Sequence, residues 1–223
     1  MKLPKISSSI IGLIIANIIP LGGVFFLGWD ASVIVLLYWA ENLVIGFYNI
    51  LKIVALRFYS RASILDELFT IPFFCLHYGA FCAVHGYLLM VLFHMADGPA
   101  SLIPKQTGAG PLAFIQILVS VIISLWRARP PGMEWTIAVL FLSHGFSFIQ
   151  NYLGKKEYNS FTAMKLLIQP YKRIFILHLT VVAGAVLIKM CGSPIALLCA
   201  LVLFKICVDV FLHIKERNLH MQE

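Results

Sequence analysis

The sequence predicts an all-α fold, a polytopic transmembrane helix bundle with six or seven spanning helices forming a single integral membrane domain over residues 1–223. Three observations predict it. Of the 223 residues, 61% are hydrophobic and 12% charged, with a mean hydropathy of +0.92, whereas a soluble domain carries roughly 25% charged residues. The apolar residues are gathered into stretches long enough to cross a bilayer, for which a helix needs about 20 residues. The longest polar interruptions, Ala96 to Gly110 and Gly154 to Lys165, are too short to bury a core of their own.

The elements follow in chain order. Lys2 and Lys5 precede Ile10 to Leu27 as they would a signal peptide. That apolar run exceeds an h-region of about 7–15 residues and no A-x-A-like site follows, so it reads as a retained first helix. Gly28 to Asp30 makes a tight turn, and Ala31 to about Ala55 is the second helix, with Glu41 and Asn42 near its middle. Arg57, Arg61, Asp66 and Glu67 form a charged connection. Phe69 to Met95 carries His77 and His85, and Pro72 kinks this helix without breaking it, because neighbours in a bundle satisfy the freed carbonyl.

Beyond the Gly- and Pro-rich loop Ala96 to Gly110, Leu112 to Trp126 suits a short span or a re-entrant or interfacial piece. Met133 to Tyr152 is a helix carrying His144. Phe161 to Lys172 alternates basic and apolar residues like a helix lying on the membrane surface, until Pro170 turns the chain inward. Arg173 to Met190 carries His178, and Pro194 to His213 is the last span, carrying Asp209.

Basic residues discriminate between the two topologies through the positive-inside rule. Six spans put Lys2, Lys5, Lys52, Arg57, Arg61, Lys155, Lys156, Lys165, Lys172, Arg173, Lys215 and Arg217 on the side of both termini. Only Lys105, Arg127, Arg129 and Lys189 then lie opposite. Seven spans divide the same residues evenly, so the asymmetry favours six with both ends cytoplasmic. The formal charge of +7 therefore serves topology and anionic head groups and gives no reason to expect a nucleic-acid partner. Cys75, Cys82, Cys191, Cys199 and Cys207 lie in or beside apolar stretches without C-x-x-C spacing, as small buried thiols do.

The ionisable residues within the spans carry the functional argument, because a charge in hydrocarbon is costly unless it is partnered. Glu41, His85, His144, His178 and Asp209 fall at similar depths, within one slab of the bilayer, at about 1.5 Å per residue. Asp209 and His213, at i and i+4, share a helix face and can chelate one ion, with Lys205 a turn earlier. His77 and His85, eight apart, both face one interior without meeting at one metal. Imidazole and carboxylate suit a divalent ion, zinc or iron. The expected ligands are His77, His85, His144, His178, Asp209 and His213, with Glu41 or Asp209 as the base that takes a proton from bound water. Asn42, Arg173 and Lys205 are expected to hold an anionic or carbonyl oxygen of the substrate.

The segments YWAENLVIGFYNILKI, LSHGFSFIQNYLGKKEY, PYKRIFILHLTVVAG and KICVDVFLHIKER resemble those of an uncharacterised family of bacterial multi-pass inner-membrane proteins, classed as a domain of unknown function. The likeness extends from about Ala31 to Arg217. It implies a bacterial inner-membrane location and places Glu41, Asn42, His144, Arg173, His178, Asp209 and His213 in the signature segments. It brings no activity with it.

The residue types admit several functions. The leading expectation is a membrane-embedded metal-dependent hydrolase acting on a lipid-like or amphipathic substrate. A transporter or proton-coupled carrier is the first alternative, because His and carboxylate chains in spans also relay protons. A haem-binding electron carrier is the second, since Gly follows both His85 and His144 and leaves room for a flat ring. A structural membrane subunit is the last. Membrane lipids are the expected partners, and the fold also admits a homo-oligomer.

Overall fold

A computed structural model describes residues 22–26, 28–60, 64–93, 112–129, 131–192, 195, 197–204 and 206–207. Among the described residues there are helices and turns and no strand. We number the main helices α1 (Ala31–Ser60), α2 (Ile64–Leu92), α3 (Leu112–Ala128), α4 (Met133–Ser147), α5 (Ala163–Ile168) and α6 (Tyr171–Cys191). A π-helical segment, Phe148–Gly154, continues α4, and a 3-10 turn, Glu157–Ser160, precedes α5. Residues 22–26 and 197–204 are also helical. The remainder of the expected first and last spans, with Lys205, Asp209 and His213, lies outside the described residues, as does the loop Ala96 to Gly110.

Three stretches are long and apolar enough to cross a membrane: Ala31–Tyr59, Phe69–Leu92 and Ala163–Gly184. The pattern of exposure agrees with a membrane protein. On α4 and its continuation Trp135, Val139, Leu142, Phe146 and Ile149 recur at helical spacing and are all exposed, while Asn42, Asn49 and His85 are buried. An apolar stripe outside and polar side chains inside is the arrangement hydrocarbon solvent selects.

The chain divides into two compact units, Met1–Val35 with Ile176–Glu223, and Leu36–Phe175. In the first, Gly28 turns the chain at φ 69° and Asp30 Oδ1 accepts from the Ser32 amide at 2.7 Å, capping the start of α1. Gly184 meets Leu197 so closely that a Cβ would stand 1.7 Å from its Cδ1. Leu197 is buried, as are Leu198, Leu201 and Val202 further along the chain.

The second unit is tied together by side chains that donate to the backbone of neighbouring helices. Trp39 Nε1 on α1 donates to the Cys82 carbonyl at 2.9 Å and Tyr78 OH on α2 donates to the Asn42 carbonyl at 2.9 Å. Tyr48 OH donates to Phe141 of α4 at 3.0 Å, and Asn49 Nδ2 donates to Leu166 of α5 at 2.9 Å. Each bond adds about 1 kcal/mol where no water competes for the partner. Gly86 lets α1, α2 and α3 close up, since a Cβ there would lie 2.6 Å from the Trp39 ring and 2.7 Å from Val121.

Three local expectations change. Asp66 and Glu67 belong to the start of α2 instead of a loop. The segment after Phe161 buries Leu166 in a cluster with Ile53, Leu56 and Tyr152 while Met164 and Ile168 stay exposed, and from Ala163 it runs into the apolar stretch that is long enough to cross a membrane. The α-helix carrying His144 stops at Ser147 and widens into the π segment, where the Lys155 amide reaches back to Gln150 at 3.2 Å. Pro72 sits inside an unbroken α2, as expected.

Candidate functional site

Glu41, Ile45, Tyr48 and Lys52 recur along α1 at intervals of four, three and four, which puts them on one face. Ile45, Tyr48 and Lys52 of that face, with Asn49, form one wall of a cavity of about 200 Å³ in the second unit. His144, Ser147 and Phe148 form another wall, and Gln169, Pro170 and Arg173, from the turn between α5 and α6, close it.

Glu41 stands behind the cavity and joins two of its walls. Its Oε2 accepts a charge-assisted hydrogen bond from Arg173 Nη2. Its Oε1 lies 3.5 Å from His144 Nε2. The Glu41 side chain is 18% exposed, against 29% for His144 and 36% for Arg173, so the carboxylate is the most enclosed member of the group. Tyr78 lies within electrostatic reach of both Glu41 and Arg173.

The position of His144 depends on its neighbour. A Cβ at Gly145 would stand 2.6 Å from the Tyr48 hydroxyl. Without one, Tyr48 reaches over to α4 and its ring stacks on His144 at 6.3 Å. Lys52 is held at the other end of the stripe, its carbonyl accepting from Tyr152 OH at 2.9 Å and its ammonium 5.5 Å from the centre of that ring. Glu157 acts on the same ammonium electrostatically.

The structure thus brings together Glu41, His144 and Arg173. Asn42 is buried beside the site, but its amide donates to Tyr38 of its own helix, and its carbonyl makes the link to α2. His77 is exposed, with Nδ1 2.8 Å from the Tyr171 hydroxyl and its ring stacked on Phe73. His85 is buried, stacked on Phe81. Neither is among the residues that line the cavity. His178 occupies an exposed position in the other unit, and Asp209 and His213 lie outside the described residues.

The donor set bears on the expected metal. Among the described residues no three His, Cys, Asp or Glu side chains converge. Glu41 and His144 supply two donors, and the guanidinium on Glu41 occupies one carboxylate oxygen and repels a cation. These residues do not fit a divalent ion. The space expected for a flat ring is also taken, since Tyr48 fills the place beside Gly145 and Trp39 with Val121 the place beside Gly86.

Sequence reasoning singled out Glu41, His144 and Arg173 but passed over Tyr48, Lys52, Ser147 and Gln169. The signal for Tyr48 and Lys52 was the stripe that begins at Glu41. Gln169 carried none, because it enters through a turn.

Fold and site together define a helical membrane protein with a carboxylate, an imidazole and a guanidinium grouped at a polar cavity. The chain belongs to a family of unknown function, DUF6498, whose model matches residues 2–223. No curated protein and no solved structure matches it.

Proposed function

We propose that the protein is a proton-coupled carrier of a small anion in the bacterial inner membrane, with six spans and both termini cytoplasmic. One observation carries this reading: Arg173 lines the cavity while its guanidinium is held by Glu41, which also faces His144. An anion entering the cavity competes with Glu41 for Arg173. A carboxylate deprived of its cation in a low-dielectric site takes up a proton, and the imidazole 3.5 Å away is placed to deliver it. When the anion leaves, Arg173 returns to Glu41 and the proton is released. Binding and protonation are then linked through one shared guanidinium.

The test is proton movement in proteoliposomes containing a pH-sensitive dye. An inward gradient of phosphate, sulfate or butyl phosphate is imposed in turn, and the proton signal is read as the excess over protein-free liposomes. At least one of these anions acidifies the lumen with wild-type protein. Arg173→Ala abolishes the anion flux, and Glu41→Gln retains anion binding while losing the proton signal. If no anion moves protons, the reading fails. It also fails if purified protein carries stoichiometric zinc or iron that His144→Ala removes, a result that restores the metal-dependent hydrolase.

A further inference from the structure

The cavity specifies more than a negative charge. We infer that its ligand is a phosphate-type dianion carrying an apolar substituent, a phosphomonoester of an amphipathic molecule; this rests on the reading of the cavity as the carrier's binding site.

The charge inventory supports the dianion. Two basic side chains line the cavity, Lys52 from α1 and Arg173 from α6. A monoanion is matched by Lys52 alone and leaves Arg173 on Glu41. A dianion requires both cations and draws Arg173 off Glu41, which is the event the carrier reading needs. Glu157 lies on the far side of this balance, acting on Lys52 from the 3-10 turn. The Ser147 hydroxyl and the Gln169 amide, both lining the cavity, supply neutral donors of the kind a multi-oxygen anion uses. A guanidinium presents paired N–H groups that match phosphate geometry, and an ammonium adds a compact charge.

The apolar substituent is argued from the other lining groups. Ile45 and Phe148 present hydrocarbon to the same cavity, and the Tyr48 ring lies against those of Phe148 and His144. A bare inorganic anion would leave those groups without contact, whereas burying them against methylene groups is favourable in proportion to area. The cavity, at about 200 Å³, has room for such a head group with a short length of chain.

Isothermal titration calorimetry on wild-type protein in phosphatidylcholine nanodiscs tests this at pH 8, where a phosphomonoester is dianionic, its second pKa lying near about 6. Butyl phosphate is expected to bind at least about tenfold tighter than pentanoate and about threefold or more tighter than inorganic phosphate, the margins one extra charge and a short alkyl chain provide. Glu41→Gln, which frees Arg173, strengthens butyl phosphate about tenfold and pentanoate less than about threefold, as expected of a released charge-assisted partner. Phe148→Ala brings butyl phosphate towards inorganic phosphate and leaves the latter unchanged. Nanodiscs containing phosphatidic acid identify the source: if the natural ligand is a lipid head group, that lipid suppresses the butyl phosphate titration, and if it is a soluble ester, the titration survives. If pentanoate binds as tightly as butyl phosphate and Glu41→Gln shifts both alike, the dianion assignment is overturned while the carrier stands. If no anion binds and none moves protons in proteoliposomes, both fall together.

Discussion

Replacing Arg173 with alanine takes the guanidinium away from Glu41, whose side chain is only 18% exposed and lies 3.5 Å from His144. The resulting loss of stability has a ceiling that can be worked out. A carboxylate stranded among apolar helices escapes its penalty by taking a proton, and at pH 7 that costs about 3.7 kcal/mol, the distance from an ordinary glutamate value of about 4.3 at 1.36 kcal/mol per unit. At pH 5 the same escape costs about 1 kcal/mol. The expected destabilisation by Arg173→Ala is therefore about 3 kcal/mol at pH 7, falling to about 1 kcal/mol at pH 5. The sign follows from linkage, since the penalty falls on the ionised carboxylate. The penalty is then present above the unfolded value and disappears as pH falls towards it. Adding Glu41→Gln removes the stranded charge, so the double variant is more stable at pH 7 than Arg173→Ala alone. Unfolding by sodium dodecyl sulfate in mixed micelles, at the two pH values, measures all three differences. A pH-independent loss, or simple additivity in the double variant, would refute the pairing.

Other contacts make sharper demands on shape. Gly145→Ala is expected to cost about 1–2 kcal/mol, because its methyl meets the Tyr48 hydroxyl at 2.6 Å. In a Tyr48→Phe background the obstruction is gone, so the cost falls towards zero even though that variant has lost about 1 kcal/mol with its bond to Phe141. Gly86→Val drives a branched side chain against Trp39 and Val121 and is expected to cost about 3 kcal/mol, read by the same unfolding titration. Gly184→Val, opposed by Leu197 at 1.7 Å, has a cost of similar size, about 2–3 kcal/mol, and a thermal melt in detergent shows it as an earlier transition.

Much of the fold was legible because hydrocarbon and water sort residues over whole turns of helix. The stretches through Glu41 and through His77 and His85 needed only length and hydropathy to be recognised as candidate spans, and Pro72 sits inside an unbroken helix as expected. What length and hydropathy do not encode is how backbones approach one another. The place of α5 depends on Leu166 filling a pocket beside Tyr152 and on Asn49 reaching its carbonyl, contacts between residues far apart in sequence. Alternating basic and apolar residues in Phe161 to Lys172 therefore read as a surface helix. The same holds for the π segment, whose widening is a matter of backbone hydrogen bonds that leave the side-chain pattern of Met133 to Tyr152 nearly unchanged.

The site was half legible for a different reason. Depth in the bilayer placed Glu41, His85 and His144 in one slab, yet depth fixes one coordinate and leaves azimuth open. His85 has the right depth and packs on Phe81, whereas Arg173, at the end of its apolar stretch, extends back to Glu41. A long side chain near a helix end has two uses, snorkelling to the head groups or turning inward, and the two are indistinguishable from position in the sequence. Lys52 was counted only as a marker of topology for that reason, whereas Arg173 was counted both as a marker and as a holder of substrate oxygen. Inward placement suits a binding role without cancelling the topological one, since in the proposed six-span arrangement a cation held at the cavity still counts towards the positive side. The charge that orients the bundle and the charge that selects its ligand can be the same charge, so Lys52→Gln is expected to weaken anion binding without reversing topology, with ten other basic residues remaining on that side besides Arg173. Cysteine-labelling of both termini in sealed vesicles separates the two effects: an inverted orientation in Lys52→Gln would mean that its role is topological.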